Sequence, residues 1–299
     1  GPSYSVIAVN GAMNVGTQAT YTPIVVGNNT ATITLNSPYT GVVTTTGGIT
    51  GDFTTGTGSV AIGYQALYTN NAGGNVAIGN GALYSNTTGQ SNIAIGSTYN
   101  TNPPLYYNTT GNYHTAIGGT ALYNNTTASD NTAVGYQALN GYTGTDINDA
   151  HGAKALLNTT TGGRNTAVGF QAALSNTTGS FNTVVGRDAL YSNTTASYNT
   201  ALGYQSSYSN TTGAYNTAVG YAVLWASTTA SNNVGVGTEA LTRNTSGQYN
   251  TAIGTYALNY NTTANNNTAV GYQAGYGGTT AEQNTYIGRW AGYSTTTGS

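Results

Sequence analysis

The chain has no cysteine, one methionine and five prolines, and only 4% of its 299 residues are charged. The missing cysteine excludes disulfides, thiolate chemistry and any cysteine-ligated metal. A net charge of −2 leaves no basic face for nucleic acid or an anionic membrane. No apolar run approaches the ~20 residues that a membrane-spanning helix needs, so membrane insertion is not expected either. The seven acids and two histidines are scattered along the chain, with one local charge cluster.

What is abundant is Gly (43 residues) and Tyr (26 residues), together with Asn and Thr. Such a composition can also belong to disordered low-complexity chains. Here the Val, Ile, Leu and Tyr residues recur at fixed offsets, which is the mark of a repeat architecture. "NTALGYQSSYSNTTGAY" at 199–215 is followed at once by "NTAVGYAVLWASTTASN". With the Asn as position 1, repeats begin at residues 59, 75, 92, 114, 131, 148, 165, 182, 199, 216, 233, 250, 267 and 284, and eleven of the thirteen spacings are 17 residues. One spacing is 22, where "NTNPPLYY" inserts Pro103 and Pro104. Position 5 is glycine in every repeat: Gly63, Gly79, Gly96, Gly118, Gly135, Gly152, Gly169, Gly186, Gly203, Gly220, Gly237, Gly254, Gly271 and Gly288. Position 4 is Val, Ile or Leu except at His151, and position 3 is nearly always Ala.

Seventeen residues containing Gly, several Asn and a Thr pair make poor helix. Alternation across positions 1–5 reads as a strand with one branched face and one small face. The spacing predicts two short strands and two turns per repeat, the second strand near positions 8 and 9. The position-4 residues Val134, Val168, Leu202, Val219 and Ile253 are expected to be buried in a column, with Gly ending the strand. The fold class is therefore all-β: a β-solenoid or β-roll of about fourteen 17-residue repeats over residues 59–299. Position-1 Asn should form an amide ladder, and Tyr at positions 6, 10 and 17 should form stripes. Within position 6, Tyr136, Tyr204, Tyr221 and Tyr272 should share one such stripe. Residues 1–58 hold four or five Val/Ile/Thr-rich runs and are expected to form an N-terminal β-rich cap or assembly domain.

The unit seen in "SVAIGYQAL", "NVAIGNGAL" and "NTAIGTYAL" resembles the head repeats of trimeric autotransporter adhesins and related phage and bacterial surface fibre proteins. The resemblance covers about residues 59–299. It implies a left-handed parallel β-roll, a trimer, and a place on a cell or virion surface. This chain departs from it by repeating at 17 residues rather than about fourteen.

His114 and His151 fall about two rungs apart and on opposite strand faces, so a structural role is expected of each rather than a shared metal. "TDINDAHGAK" gathers Asp146, Asp149, His151 and Lys154, and reads as a solvated irregular loop. No aspartate recurs from repeat to repeat, which argues against a calcium roll. The "NTT" and "NTS" triplets are turn chemistry, and also possible glycosylation acceptors, at Asn86, Asn108, Asn125, Asn158, Asn176, Asn193, Asn210, Asn244 and Asn261. Their adjacent Thr point to opposite sides of a chain, which disfavours an ice-binding face made from them.

The expected function is non-enzymatic and without cofactors: an extracellular structural or adhesive fibre protein on a cell or virion surface. Its partners would be copies of itself, as a trimer or a head-to-tail filament, with a surface receptor or glycan as a further possibility. The filament expectation joins the N-terminal segment to a last repeat, begun at Asn284, that carries no evident cap. Alternatives are a phage-type receptor-binding tail fibre, or an ice- or carbohydrate-binding solenoid.

Overall fold

In a computed structural model, the described residues are 58–96 and 102–296. The expected strands and domain boundary within residues 1–57 lie outside them, as does the N-terminal side of the head-to-tail contact. Fourteen strands of three or four residues run from β1 (Val60–Ile62) to β14 (Thr285–Ile287). They form one parallel sheet in strict sequence order. Each strand pairs in register with the equivalent residues of the next rung, as Thr217, Ala218 and Val219 do with Val234, Gly235 and Val236. The described residues thus form an all-β solenoid of about 17 residues per turn.

One expected strand is missing. Positions 6–11 form a continuous arc of turns rather than a second strand. Residues with positive φ recur within that arc at positions 7 and 9, as in Gln137 (φ 61) and Leu139 (φ 50). This arc is nonetheless hydrogen-bonded between rungs. The Gln137 N–H donates down to the Gly119 carbonyl at 2.9 Å, and the Leu139 N–H donates up to the Ala155 carbonyl at 3.0 Å. Pairing to neighbours above and below satisfies the backbone without a pleated conformation. A left-handed Leu is uncommon, yet nine occur at position 9 and a tenth, Leu105, follows the insertion. Leu139 and its column mates are fully buried, and the reversed φ is what swings each side chain inward.

The core is narrower than the alternation suggests. Position-3 Ala, position-8 Ala and position-9 Leu fill it, with Ala133, Ala138 and Leu139 all at 0% exposure. The branched face of the strand therefore points outward, and the expected burial of position 4 is overturned. Val168, Leu202 and Ile253 are 38%, 45% and 41% exposed, and Val134 and Val219 are half-buried. The physical reason is the tube's bore. Two short arcs joined by tight turns leave a narrow bore that Ala and Leu mostly fill, with Val184 and Val223 the branched exceptions, the latter facing Gly235.

The glycine column behaves as expected at the strand ends. Each of the fourteen position-5 glycines has φ between 116 and 139, a region nearly closed to other residues. A Cβ at Gly203 would also lie 2.3 Å from the Gly220 carbonyl oxygen of the next rung. The inside of the rung begun at Asn284 departs from the pattern. Tyr286 takes the place of the position-3 Ala and packs against the neighbouring core. Glycines at position 9, Gly275 and Gly292, make space for its ring, since a Cβ on Gly292 would come within 2.2 Å of it.

Candidate functional site

Two polar columns run inside the solenoid. The first is the expected position-1 ladder. The Asn216 N–H donates to Asn199 Oδ1 at 3.0 Å, and Asn216 Nδ2 donates to the Ala230 carbonyl at 2.7 Å. Buried polar groups stay in a core only when hydrogen-bonded, and this arrangement satisfies each amide twice. The second ladder was not read from the sequence. It is built from the Asn of the "NTT" and "NTS" triplets, at position 12. Asn193 Nδ2 donates to Asn176 Oδ1 at 2.7 Å and to the Ala196 carbonyl at 3.0 Å. The strict recurrence of Asn ahead of the Thr pair was the available signal.

That second ladder relocates the possible glycosylation sites. Asn86, Asn108, Asn125, Asn176, Asn193, Asn210, Asn244 and Asn261 are buried at 0–1% exposure, so their amides face the core of the folded protein. Asn158 alone of the nine is exposed, because its rung shifts the register and puts Thr159 in the ladder instead. The Thr that follow are committed as well: Thr177 Oγ1 donates to the Thr194 carbonyl at 2.8 Å, and Thr194 Oγ1 to the Thr211 carbonyl at 3.1 Å.

His114 stands in the first ladder and copies an asparagine. Its Nε2 bonds to the Ala128 carbonyl, and its Nδ1 accepts from the Asn131 N–H at 3.2 Å. These contacts fix the neutral tautomer with the proton on Nε2. Burial lowers the His114 pKa, opposed by backbone contacts to Ala128 and Asn131 and by Asp130. His151 is exposed on the outer strand face, so the two histidines do not meet. Asp146 lies 3.8 Å from Arg164 in an exposed pair, while Asp149 and His151 share β6 (Asn148–His151). Tyr142 replaces the position-12 Asn and is fully buried. Its hydroxyl donates to the Asp146 carbonyl, and burial pushes the phenol up to about 12.

The ladder breaks leave identifiable orphans. Asn125 Oδ1, Ser227 Oγ and Asn261 Oδ1 are buried without partners. Tyr142 and Gly278 sit at position 12 just above Asn125 and Asn261, and Ser227 itself is too short to bridge rungs.

The outside carries two kinds of surface. The outer sheet face presents positions 2 and 4. Position 2 is Thr in nine rungs and position 4 is aliphatic in all but one. These Thr hydroxyls make no hydrogen bond among the described residues. Over fourteen strands the face measures roughly 60 Å by 10 Å, or about 600 Å². Contiguous apolar patches beyond a few hundred Å² are rare on monomers.

Aromatic columns form the second surface, in the shared register that was expected. At position 10, Tyr68, Tyr84 and Tyr106 stack with centroids 5.0 Å apart. At position 17, Phe181, Tyr198 and Tyr215 stack at 4.9 Å. At position 6 the adjacent pair Tyr204 and Tyr221 stack at 5.7 Å, whereas Tyr136 and Tyr272 have no aromatic rung-mate in that column. Each of the four arginines lies against a ring. Arg164 covers Phe181, Arg187 covers Phe170, Arg243 covers Tyr260 and Arg289 covers Trp290. Guanidinium planes thus extend the aromatic stacks.

Comparison with family models, with curated protein sequences and with solved structures returned no match. No helix of the described residues is long and apolar enough to cross a membrane.

Proposed function

We propose that this chain is a structural or adhesive fibre protein of a cell or virion surface, non-catalytic, assembled laterally with copies of itself through the outer sheet face. The observation that carries the reading is the direction of the branched residues. Aliphatic side chains of position 4, with Thr, Val or Ile at position 2, line the outer sheet face in all but one rung. A second copy is the occupant with a matching 4.8 Å rise, so every rung repeats the same contact. Each partner in a stable complex typically contributes about 800 Å². The sheet face supplies roughly 600 Å² of this, and the exposed rings at positions 6 and 17 border it. The resemblance to trimeric adhesin heads supports the same arrangement, and a phage-type receptor-binding fibre is the rival within it.

The test is the mass of the assembly in solution. Wild-type chain should sediment as a multiple of 30.4 kDa, and Leu202→Lys with Val219→Lys should reduce it to one chain with its β signal kept. A second reading rests on the free Thr hydroxyls of position 2 beside aliphatic position 4, a regular surface able to order water as an ice-binding face does. A wild-type monomer with thermal hysteresis would put this reading in place of the first.

A further inference from the structure

We propose that Asp149 and His151 on β6 pair between copies of the chain and fix the register of the lateral assembly, the carboxylate of one copy meeting the imidazole of the next. The inference rests on the reading that a second copy covers the outer sheet face, and it adds which rungs of the two copies meet.

The sheet face is uniform apart from this rung. Positions 2 and 4 of the other thirteen strands hold only Thr, Val, Ile and Leu. β6 alone carries a carboxylate at position 2 and an imidazole at position 4. Its backbone is regular: Asp149 and His151 pair with Thr132 and Val134 on one side and with Thr166 and Val168 on the other. Asn148 and Ala150 turn inward and are buried, which leaves Asp149 half-buried and His151 exposed on the outer face. Among the described residues neither side chain has an ion-pair or hydrogen-bond partner.

A uniform seam has a register problem. Sliding one copy by a single rung of about 4.8 Å re-creates nearly the same contacts. One polar break in an apolar seam removes that degeneracy, as a single polar residue does in a coiled coil. Here a one-rung slip would set Asp149 against Val134 or Val168, and the carboxylate would be desolvated with no partner.

Symmetry makes the pair self-complementary. A half-turn about an axis parallel to the solenoid keeps each rung at its own height and reverses the strand direction. Position 2 of one copy then lies opposite position 4 of the other, so Asp149 meets His151 twice. A three-fold axis in the same direction also keeps rungs level and leads position 4 of each copy toward position 2 of the next. The imidazole N–H donates to the carboxylate in either case. Copies running in opposite directions, related by a half-turn about a strand, would instead set position 2 against position 2. Asp149 would then meet Asp149, Thr or an aliphatic side chain, and find no cation.

Charge exchange tests the pairing. Asp149→Lys sets a cation against His151, and His151→Glu sets an anion against Asp149. Each should weaken the dissociation constant by about tenfold or more, read by sedimentation over a dilution series. An equimolar mixture of the two variants should assemble more tightly than either alone. One chain carrying both substitutions makes a Lys–Glu pair between copies and should return to within about threefold of wild type. Circular dichroism should be the same for all four chains. A wild type that sediments as one chain removes lateral assembly and the pairing with it. A wild type that assembles, with single variants equally tight or with neither the mixture nor the double variant recovering, overturns the pairing and leaves lateral assembly standing.

Discussion

The turns over residues 165–215 and those over residues 131–164 obey the same backbone plan with very different side chains. In the first stretch the ladders at positions 1 and 12 are continuous, as in Asn176 to Asn193. In the second, Tyr142 and Thr159 occupy position 12, His151 occupies position 4, and Asp149 occupies position 2. The strand register passes through unchanged, with Asn148, Asp149, Ala150 and His151 paired to Asn165, Thr166, Ala167 and Val168. The difference teaches which columns the fold requires. Position-5 Gly and position-1 Asn persist through both stretches, and position 3 stays Ala apart from Val184. In this stretch position 12 tolerates replacement because both substitutes find another partner. Tyr142 turns to the Asp146 carbonyl, and Thr159 Oγ1 still receives Asn176 Nδ2 at 3.4 Å.

The strongest way to break the comparison is through the glycine column. Gly203→Ala in the regular stretch and Gly152→Ala in the irregular one should be equally severe. Each added Cβ would meet the next rung's carbonyl oxygen at 2.3 Å. Left-handed strain plus that clash should cost upwards of ~3 kcal/mol in either place, read as urea midpoints. A mild Gly152→Ala would show that the irregular turns are packed more loosely than their backbone indicates.

Ladder substitutions should separate the two stretches. Asn193→Ala removes a satisfied buried amide and strands its neighbour, at about 1–3 kcal/mol. Thr159→Asn restores the second ladder in the irregular turn and should stabilise by about 0.5–1.5 kcal/mol. Midpoint shifts of opposite sign, the loss larger than the gain, would confirm that position 12 is a continuous element with one replaceable link.

Acid sharpens the comparison further, because the only histidine inside a ladder is His114. Its folded pKa lies below the ordinary 6.5, so the unfolded chain binds the proton first. The stabilisation is fully present above pH 6.5 and is lost as pH falls below it toward the folded pKa, at up to ~1.4 kcal/mol per pH unit. His114→Asn should flatten this dependence, measured as thermal midpoints between pH 7 and pH 5. A slope unchanged in the variant would move the acid-sensitive group elsewhere.

The smallest effect belongs to the charges. Arg164 and Asp146 are each more than half exposed, so Arg164→Ala should shift stability by less than ~1 kcal/mol even at low salt.

Much of this architecture is legible in the sequence, and the failures have physical causes. The rung length, the glycine column and the first amide ladder follow from period and residue type alone. Which face of the strand points inward does not. Alternation distinguishes two faces, and ordinary experience buries the branched one. In this tube the narrow bore takes Ala at position 3 in most rungs, with Val184 the branched exception, and closure radius is something no single repeat displays. The second strand was misread for a related reason. Apolar Ala and Leu at positions 8 and 9 look extended, yet the inward swing of Leu139 comes from a reversed φ that leucine seldom adopts. The NTT asparagines carry both turn and ladder chemistry in the same letters, and only the stacking of rungs selects the ladder.

The outward orientation of position 4 and its coverage by a second copy can be measured together. The chain has no cysteine, so Val219→Cys introduces a single thiol. In the native assembly that thiol should react slowly with a maleimide. With Leu202→Lys and Ile253→Lys added to dissociate the chain without unfolding it, the thiol should react nearly as fast as a free one. Fast reaction in the native protein would remove the partner from the sheet face, and slow reaction in the dissociated chain would place Val219 inside the tube.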